Sequence, residues 1–301
     1  MARCHSALDP ETRVAIPILS TWKPTSVDFT GAGLLTSAQN VAAHIAGHGY
    51  CIVDTNLPPK YLMDARAEAK ALFRKGAMKS PPDTESWKDK GHNLWLHEYV
   101  RVESGCGLDA IKAGAGTLGL VDKLLGDFGR AVVDSVERIA SRSLAGDRQT
   151  AFARGEHGET LHCTGRTDAL VACYPGGRAS YGPHLDNEAG THDHRRDYGR
   201  CFTFVYYLNE ARWDPERDGG TLRVFAPTAA DDLASIDVTP IAGRIAIFRA
   251  DTIVHAVQPA FSERCALTIW FNCGTREQAA LAATGGDAQL ASPHQHAKSF
   301  S

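Results

Sequence analysis

Apolar residues recur at helical spacing in three segments of the first half of the chain. The first, about residues 36–46, has Val41 and Ile45 one turn apart and is followed by glycines that end it. A second helix is predicted to begin at a proline pair, Pro58 and Pro59, in its first turn and to run through about residue 75. The third, over residues 118–141, is the longest and carries a single apolar stripe. The members of this stripe are Val121, Leu124, Leu125, Phe128, Val132, Val136 and Ile139.

In the second half of the chain the pattern changes from helical spacing to short strand-like runs. These runs alternate with turn residues from residue 169 to residue 271. Many short strands in this arrangement predict a double-sheet jelly roll of the cupin kind. Because the stripe of the longest helix must be buried, we expect an α+β fold. Its core would be a double-stranded β-helix, with supporting α-helices packed on one face.

The same pattern divides the chain into three parts. Residues 1–34 carry Pro and Gly without sustained periodicity and predict an extended or disordered arm. Residues 35–274 predict a single domain, in which residues 35–160 supply helical support and residues 161–274 form the jelly-roll core. Residues 275–301, rich in Ala, Gly, Gln and His, predict a tail that begins with a short helix.

Composition and charge argue against several classes of partner. The 301 residues include 32 basic and 35 acidic side chains, a formal net charge of −3, which is no signature of nucleic-acid binding. The sequence contains no apolar run of transmembrane length, and its first residues lack the apolar stretch of a secretion signal. We therefore expect no membrane partner and a cytoplasmic or nuclear location. The eight cysteines lack CxxC spacing and predict buried free thiols in a reducing compartment.

Two potential metal ligands stand two residues apart in a strand-like run. In an extended strand, His184 and Asp186 would point to the same face. His255, at the end of a distant apolar run, would complete the 2-His-1-carboxylate triad of non-heme Fe(II) oxygenases. Alone, the pair of His184 and Asp186 is more often a surface feature of a strand than a metal site, and it is the combination with His255 and Arg264 that indicates a metal. His192 and His194 form a rival pair, but without apolar alternation around them they indicate a solvated loop.

The last strand-like run adds an anion site to this cluster. At period 2, Arg264, Thr268 and Trp270 share one face, and the opposite face is apolar. A guanidinium among small and hydroxyl-bearing side chains suits a buried carboxylate. A dicarboxylate that chelates iron with one end could anchor its other end there.

The ordered motifs of residues 165–273 resemble those of 2-oxoglutarate- and Fe(II)-dependent dioxygenases of the prolyl 4-hydroxylase group. Within this group the chain is most similar to the cytosolic, oxygen-sensing prolyl hydroxylases that act on hypoxia-inducible factor. The resemblance is dense over residues 165–273 and loose over residues 40–160. The motifs are Gly165-Arg-Thr, Ala169-Leu-Val-Ala-Cys-Tyr-Pro-Gly176, His184-Leu-Asp-Asn187, Tyr206-Tyr-Leu-Asn209, Gly219-Gly-Thr-Leu-Arg-Val-Phe225, His255-Ala-Val-Gln-Pro-Ala260 and Arg264-Cys-Ala-Leu-Thr-Ile-Trp270.

The resemblance implies a reaction and a role for each site residue. His184, Asp186 and His255 would bind Fe(II) as the catalytic centre, and Tyr181 would lie near the substrate proline. O2 and 2-oxoglutarate would be consumed, succinate and CO2 released, and L-ascorbate would serve as reductant. The substrate would be an accessible proline of a protein, with a role in oxygen sensing. The residues implied to contact 2-oxoglutarate are Arg264, Tyr207, Tyr174, Thr268 and Trp270.

Two polar stretches bear on the substrate. Residues 76–93 form a long loop, which the resemblance implies to be a lid over bound substrate. Residues 187–200 are longer and more charged than in the animal oxygen sensors, and they follow directly on two of the ligands. This insertion leaves open a hydroxylase of a free amino acid or another small molecule. A non-catalytic sensor or scaffold that binds iron and 2-oxoglutarate is a further alternative, and the oligomeric state is left open.

Overall fold

The computed structural model describes residues 25–29, 31–78, 92–95, 116–143, 148–155, 158–187, 199–227 and 233–283. Four predicted stretches therefore lie wholly or largely outside the described residues. They are residues 1–24 of the arm, residues 79–91 of the candidate lid, residues 188–198 of the insertion and residues 284–301 of the tail.

Eight strands form the larger of two sheets. They are β1 (Thr25–Val27), β2 (Tyr50–Thr55), β3 (His92–Trp95), β4 (His162–Arg166), β5 (Leu170–Tyr174), β7 (Arg200–Tyr207), β10 (Arg244–Arg249) and β12 (Arg264–Gly274). Their order is β1-β2-β10-β7-β12-β5-β3, and β4 pairs with the end of β12. The first pair is parallel and the other described pairs are antiparallel.

Four strands form the smaller sheet, which packs against the larger one. They are β6 (Ala179–His184), β8 (Leu222–Pro227), β9 (Leu233–Val238) and β11 (Val254–Ala260), in the order β6-β11-β8-β9. One apolar layer joins the sheets and contains Val205 and Phe248 from the larger with Leu222 and Val224 from the smaller. The predicted double-stranded β-helix is confirmed.

Helices cover the outer face of the larger sheet. The long ones are α1 (Leu34–His48), α2 (Pro59–Arg74) and α3 (Gly116–Arg142), and the short ones are α4 (Pro215–Asp218) and α5 (Arg276–Ala283). Alternation along β7 sends Phe202, Phe204 and Tyr206 into the layer beneath the long helices. Helical support on one face is as predicted. Within the described residues, no helix is both long and apolar enough to cross a membrane.

The folded unit begins before the boundary predicted at residue 34. Strand β1 pairs with β2, and a 3-10 turn (Gly31–Gly33) leads into α1. Phe29, which is fully buried, packs with ring centroids 5.6 Å from Phe128 and 5.7 Å from Tyr206. Three strand residues are too few to show alternation, so the pattern of the sequence does not reveal this pairing.

The prediction that the cysteines are free is wrong for one pair. Cys173 on β5 and Cys265 on β12 stand directly opposite each other, with Cα atoms 4.3 Å apart, and form a disulfide. The sequence could not show this because 92 positions separate the two residues and only the strand register brings them together. The free cysteines among the described residues, all buried, are Cys51, Cys163, Cys201 and Cys273.

Candidate metal centre and cosubstrate pocket

The smaller sheet brings together the three predicted metal ligands. His184 ends β6, His255 is the second residue of β11, and the register places them opposite each other. Asp186 follows β6, and its Oδ1 lies 3.5 Å from His184 Nε2 and 3.6 Å from His255 Nε2. In an octahedral site with bonds of about 2.1 Å, adjacent ligand atoms are about 3 Å apart, so small movements would close the cluster around an ion.

Both imidazoles are held with the same nitrogen turned toward the cluster. Nδ1 of His184 lies 2.9 Å from the carbonyl oxygen of Gly182, and Nδ1 of His255 lies 3.3 Å from that of Ile253. A carbonyl can only accept a hydrogen bond, so each Nδ1 carries the proton and each Nε2 keeps its lone pair. The backbone thus selects the tautomer that binds metal.

The charges of the cluster suit a divalent cation. Burial alone would raise the pKa of Asp186, but His255, His184 and the Thr203 hydroxyl lower it below its usual range. Burial lowers the pKa of His255 to about 4, against the opposing effect of Asp186. At neutral pH the site therefore offers a carboxylate and a neutral imidazole without prior loss of a proton. Within the described chain, only these three residues form a group of three or more metal-ligating side chains with ligand atoms within 4.8 Å.

The second oxygen of Asp186 is bound by two donors from the larger sheet. Thr203 Oγ1 donates to Oδ2 at 2.6 Å, and Trp270 Nε1 donates to it at 3.0 Å. Trp270 was expected to contact 2-oxoglutarate, and the structure adds a hydrogen bond from its indole to a candidate metal ligand. Thr203 is absent from the predicted site. The period-2 face that it shares with Tyr207 was a signal for it, but the contact with Asp186 depends on how the sheets pack.

A buried cation and a buried phenol lie deeper in the same layer. Arg264 and Tyr207 are 2% and 0% exposed, and the guanidinium carbon lies 5.2 Å from the centroid of the Tyr207 ring and 5.0 Å from that of Tyr174. Arg264 Nε donates to the Gly220 carbonyl oxygen at 2.7 Å, which leaves its terminal nitrogens for other partners. Burial raises the pKa of Tyr207 to about 12, although the Arg264 charge acts in the opposite direction.

The Tyr207 hydroxyl indicates what this pocket holds. Its oxygen is fully buried, and although the Arg264 guanidinium, itself a donor, lies close enough to lower its pKa, the hydroxyl has no hydrogen-bond acceptor among the described residues. A buried hydroxyl without a partner is unfavourable by roughly 1–3 kcal/mol, so a ligand acceptor is expected beside it. A carboxylate would satisfy this hydroxyl and the Arg264 fork together. The pocket and the cluster thus fit the two ends of a chelating dicarboxylate such as 2-oxoglutarate.

The remaining predicted site residues surround these two centres. Tyr181 packs against His184, with ring centroids 4.1 Å apart and ring planes tilted by 53°, at the partly exposed edge of the cluster. Tyr174 is buried beside Arg264, and burial raises the pKa of its hydroxyl. Thr268 is half-buried on β12, two residues from Trp270 on the face that also carries Arg264. The structure therefore brings every predicted site residue to one region between the sheets.

Several known proteins are similar to this chain in sequence. Residues 169–272 match the family described as the 2OG-Fe(II) oxygenase superfamily. The chain is 30% identical over 225 residues to Egl nine homolog 1 of Mus musculus, which covers 74% of this chain and 46% of the relative. It is 42% identical over 107 residues to prolyl hydroxylase EGLN3 of Mus musculus, covering 35% of this chain and 40% of the relative. The chain thus spans about half the length of the curated relatives it matches.

A solved structure shares the fold. It is a prolyl hydroxylase from Trichoplax adhaerens in complex with a hypoxia-inducible factor oxygen degradation domain peptide fragment. The similarity covers 82% of this chain and 93% of that one, with a TM-score of 0.57 and 22% sequence identity. At this identity the similarity shows the architecture, and the activity has to be argued from the site.

Proposed function

Because residues 169–272 match the 2OG-Fe(II) oxygenase superfamily, we propose that this protein is a dioxygenase of that family and acts as a prolyl 4-hydroxylase. Its substrate is a proline in a flexible segment of a cytoplasmic or nuclear protein, and its products are hydroxyproline, succinate and CO2. One observation carries the proposal: a 2-His-1-carboxylate cluster lies beside a buried arginine and a buried, unpartnered tyrosine hydroxyl. Without a chelating dicarboxylate, nothing would require these two groups next to a metal site.

Each residue has a defined part in this function. His184, Asp186 and His255 hold Fe(II), which supplies the activation of O2, with L-ascorbate as the reductant that keeps the metal ferrous. Arg264 binds the far carboxylate of 2-oxoglutarate with its terminal nitrogens, and Tyr207 donates a hydrogen bond to it. Tyr174, Thr268 and Trp270 complete the wall of this pocket, and the apolar layer between the sheets excludes water from it.

The choice of a protein substrate rests on the relatives and on the mouth of the site. EGLN3 of Mus musculus and the Trichoplax adhaerens protein are named as prolyl hydroxylases, and the structure of the latter is of a complex with a peptide fragment of hypoxia-inducible factor. In this chain, 22% of the His184 side chain is exposed, and Tyr181 stands beside it at that opening. An aromatic ring next to an open coordination site suits a proline side chain. We propose residues 76–93 as a lid and residues 187–200, which directly follow Asp186 in sequence, as a substrate-selecting segment.

The decisive experiment does not assume a target. The purified protein, loaded with Fe(II), 2-oxoglutarate and ascorbate in air, is incubated with lysate of cells that lack it. Tryptic peptides are then searched for added oxygen. The matched control is His184→Ala, which removes one ligand from the partly exposed side of the cluster. We expect a reproducible hydroxyproline that appears with the parent and is missing with the variant.

Other results would replace this proposal. Succinate release without any oxidised peptide would favour hydroxylation of a free amino acid or another small molecule. No succinate under any condition, despite tight binding of Fe(II) and 2-oxoglutarate, would indicate a sensor or scaffold without turnover. Oxygen sensing is tested separately by the dependence of the hydroxylation rate on O2. A rate that still rises between physiological O2 and air supports a sensor, and a rate saturated well below physiological O2 contradicts it.

A further inference from the structure

The two oxygens of the Asp186 carboxylate lie in different environments. Oδ1 faces the Nε2 atoms of His184 and His255, at 3.5 and 3.6 Å. Oδ2 faces away from them and accepts hydrogen bonds from Thr203 and Trp270, at 2.6 and 3.0 Å. The carboxylate is thus oriented before any ion arrives.

The two donors form a cross-strand pair. Thr203 on β7 and Trp270 on β12 are direct partners in the register of the larger sheet, so both side chains leave the same face. They are 1% and 6% exposed, which removes competing water from the hydrogen bonds. The Arg200 guanidinium carbon lies over the face of the Trp270 ring, 4.2 Å from its centroid, in a cation–π contact with the indole. The sheet therefore presents a prearranged pair of donors to one carboxylate oxygen.

We propose that Thr203 and Trp270 are positioning residues that make Asp186 bind Fe(II) through Oδ1 alone. This inference rests on the proposed function, because it concerns the iron of that site. A carboxylate that bound through both oxygens would fill a fourth position of an octahedral ion. With Oδ2 held by two donors, three positions remain for 2-oxoglutarate and O2. Both donors are neutral, so they orient the carboxylate and leave its negative charge available to the metal.

The test measures metal binding, because activity alone would not separate positioning from other effects. Thr203→Val, Thr203→Ser and Trp270→Phe are titrated with Fe(II) alone, without O2, and the heat of binding is recorded. The same samples then receive 2-oxoglutarate, and the visible charge-transfer absorption of the Fe(II)–2-oxoglutarate complex is followed. Loss of a hydrogen bond to a ligating group typically weakens metal binding by about 10- to 100-fold. We expect Thr203→Val and Trp270→Phe to show this loss with a shifted absorption band, and Thr203→Ser to bind as the parent does.

A matched control separates positioning from stability. Thr55 Oγ1 donates to the Gly243 carbonyl oxygen at 2.8 Å on another strand of the same sheet. Thr55→Val removes a comparable hydroxyl, and it should leave Fe(II) affinity and the absorption band unchanged. Thermal unfolding of all variants accompanies the titrations, so that a variant which fails to fold is recognised and Thr203→Ser carries the comparison.

Three outcomes would overturn the inference. Thr203→Val and Trp270→Phe could both bind Fe(II) within about twofold of the parent, well short of the loss that a second-sphere contact causes. Thr203→Ser could bind as weakly as Thr203→Val, which would make the methyl group the important feature. A parent that binds no Fe(II) would also overturn it. A parent that binds Fe(II) with this pattern but hydroxylates no proline would contradict the proposed function and leave the positioning role intact.

Discussion

One nitrogen of the Arg264 side chain makes a hydrogen bond within the fold, and the other two are left to bind a ligand. Nε is committed to the Gly220 carbonyl oxygen at 2.7 Å, in a turn where Gly220 has φ +66° and a Cβ atom would lie 2.9 Å from Arg264 Cδ. The turn therefore requires glycine at this position. The hydrogen bond to the turn also orients the guanidinium, so that its terminal nitrogens are available to a ligand. A lysine at this position could supply charge but neither the fork nor the contact to the turn.

This division predicts a graded effect on cosubstrate affinity. Arg264→Lys should raise the KM for 2-oxoglutarate by roughly tenfold or more, because the two parallel hydrogen bonds are lost. Tyr207→Phe should raise it by about 3- to 10-fold, the equivalent of one hydrogen bond. Succinate release at varied 2-oxoglutarate measures both. Arg223→Lys, which disrupts a forked pair with Asp237 away from the site, is the control and should leave KM unchanged.

His255 predicts how stability depends on pH in the metal-free protein. Its pKa is about 4 in the folded state, against about 6.5 in an unfolded chain. Between these values the unfolded chain binds a proton that the native protein does not, so stability falls as the pH drops through this window. The free energy of unfolding falls because of His255 by up to about 1.4 kcal/mol for each pH unit in this range. Asp186, whose pKa is depressed in the folded state, affects the stability only at pH values below this range.

Urea unfolding of the metal-free protein at several pH values from 7 to 4.5 measures this effect. The control is His255→Asn, which cannot take up the proton and should show a shallower decline. Equal slopes for the two proteins would mean that another group governs the acid side of the stability curve.

At the residue level, the sequence was enough to predict which residues lie together as candidate metal ligands and which arginine is buried beside them. His184, His255 and Arg264 lie on strands and Asp186 directly follows one, so that a period of two relates their side chains to the faces of the sheets. The sequence did not predict Thr203 as a residue of the site, because its role depends on the two side chains that it lies beside. Those partners are Trp270, fixed by sheet register, and Asp186, fixed by the packing of one sheet on the other. Neither can be read from local spacing.

Helix α3 shows how closely an element can approach the sheet that it covers. A Cβ atom on Gly129 would lie 2.4 Å from Cε2 of the buried Phe271 ring, whereas one on Gly119 of the same helix would meet nothing within 4 Å. Glycine is unfavourable in both places for the helix alone. At Gly129 the close approach of β12 leaves no space for a Cβ atom, whereas no such contact exists at Gly119.

The two glycines make a matched pair of substitutions. Gly119→Ala should raise the free energy of unfolding by about 0.5–1 kcal/mol, because alanine is the better helix former. Gly129→Ala should lower it by roughly 1–3 kcal/mol, because the Phe271 ring has no room to move. Chemical denaturation of both variants beside the parent gives the comparison. Stabilisation by both substitutions would show that α3 can shift outward without loss.

At the element level, long periodic segments were predictable and cross-chain pairings were not. The three long helices were expected close to where they lie, since each buries one apolar face. Strand β1 and the Cys173–Cys265 disulfide were missed, because each depends on a partner strand that is remote in sequence. Such pairings are set by topology, which hydrophobic spacing does not encode.

For the whole molecule, the cluster and its pocket predict stabilisation by ligands. Fe(II) and 2-oxoglutarate bind the native state and not the unfolded chain. At 100 times the dissociation constant a ligand therefore adds about 2.7 kcal/mol, and Tm rises by roughly 5–10 °C. Chelation by EDTA should reverse the rise. Differential scanning fluorimetry without O2 measures it, and His184→Ala should respond much less. An equal rise in this variant would place ligand binding outside the cluster.

Strand β12 lies inside the larger sheet although it is one of the last elements of the described chain. It pairs with β4, β5 and β7, all of which are synthesised earlier. During translation, the edges of these strands that pair with β12 stay unpaired until residue 274 has left the ribosome. Completion of the sheet is therefore a late, long-range event, and the nascent chain is most prone to aggregate just before it. Production of this protein should depend on chaperone capacity more than its native stability would suggest.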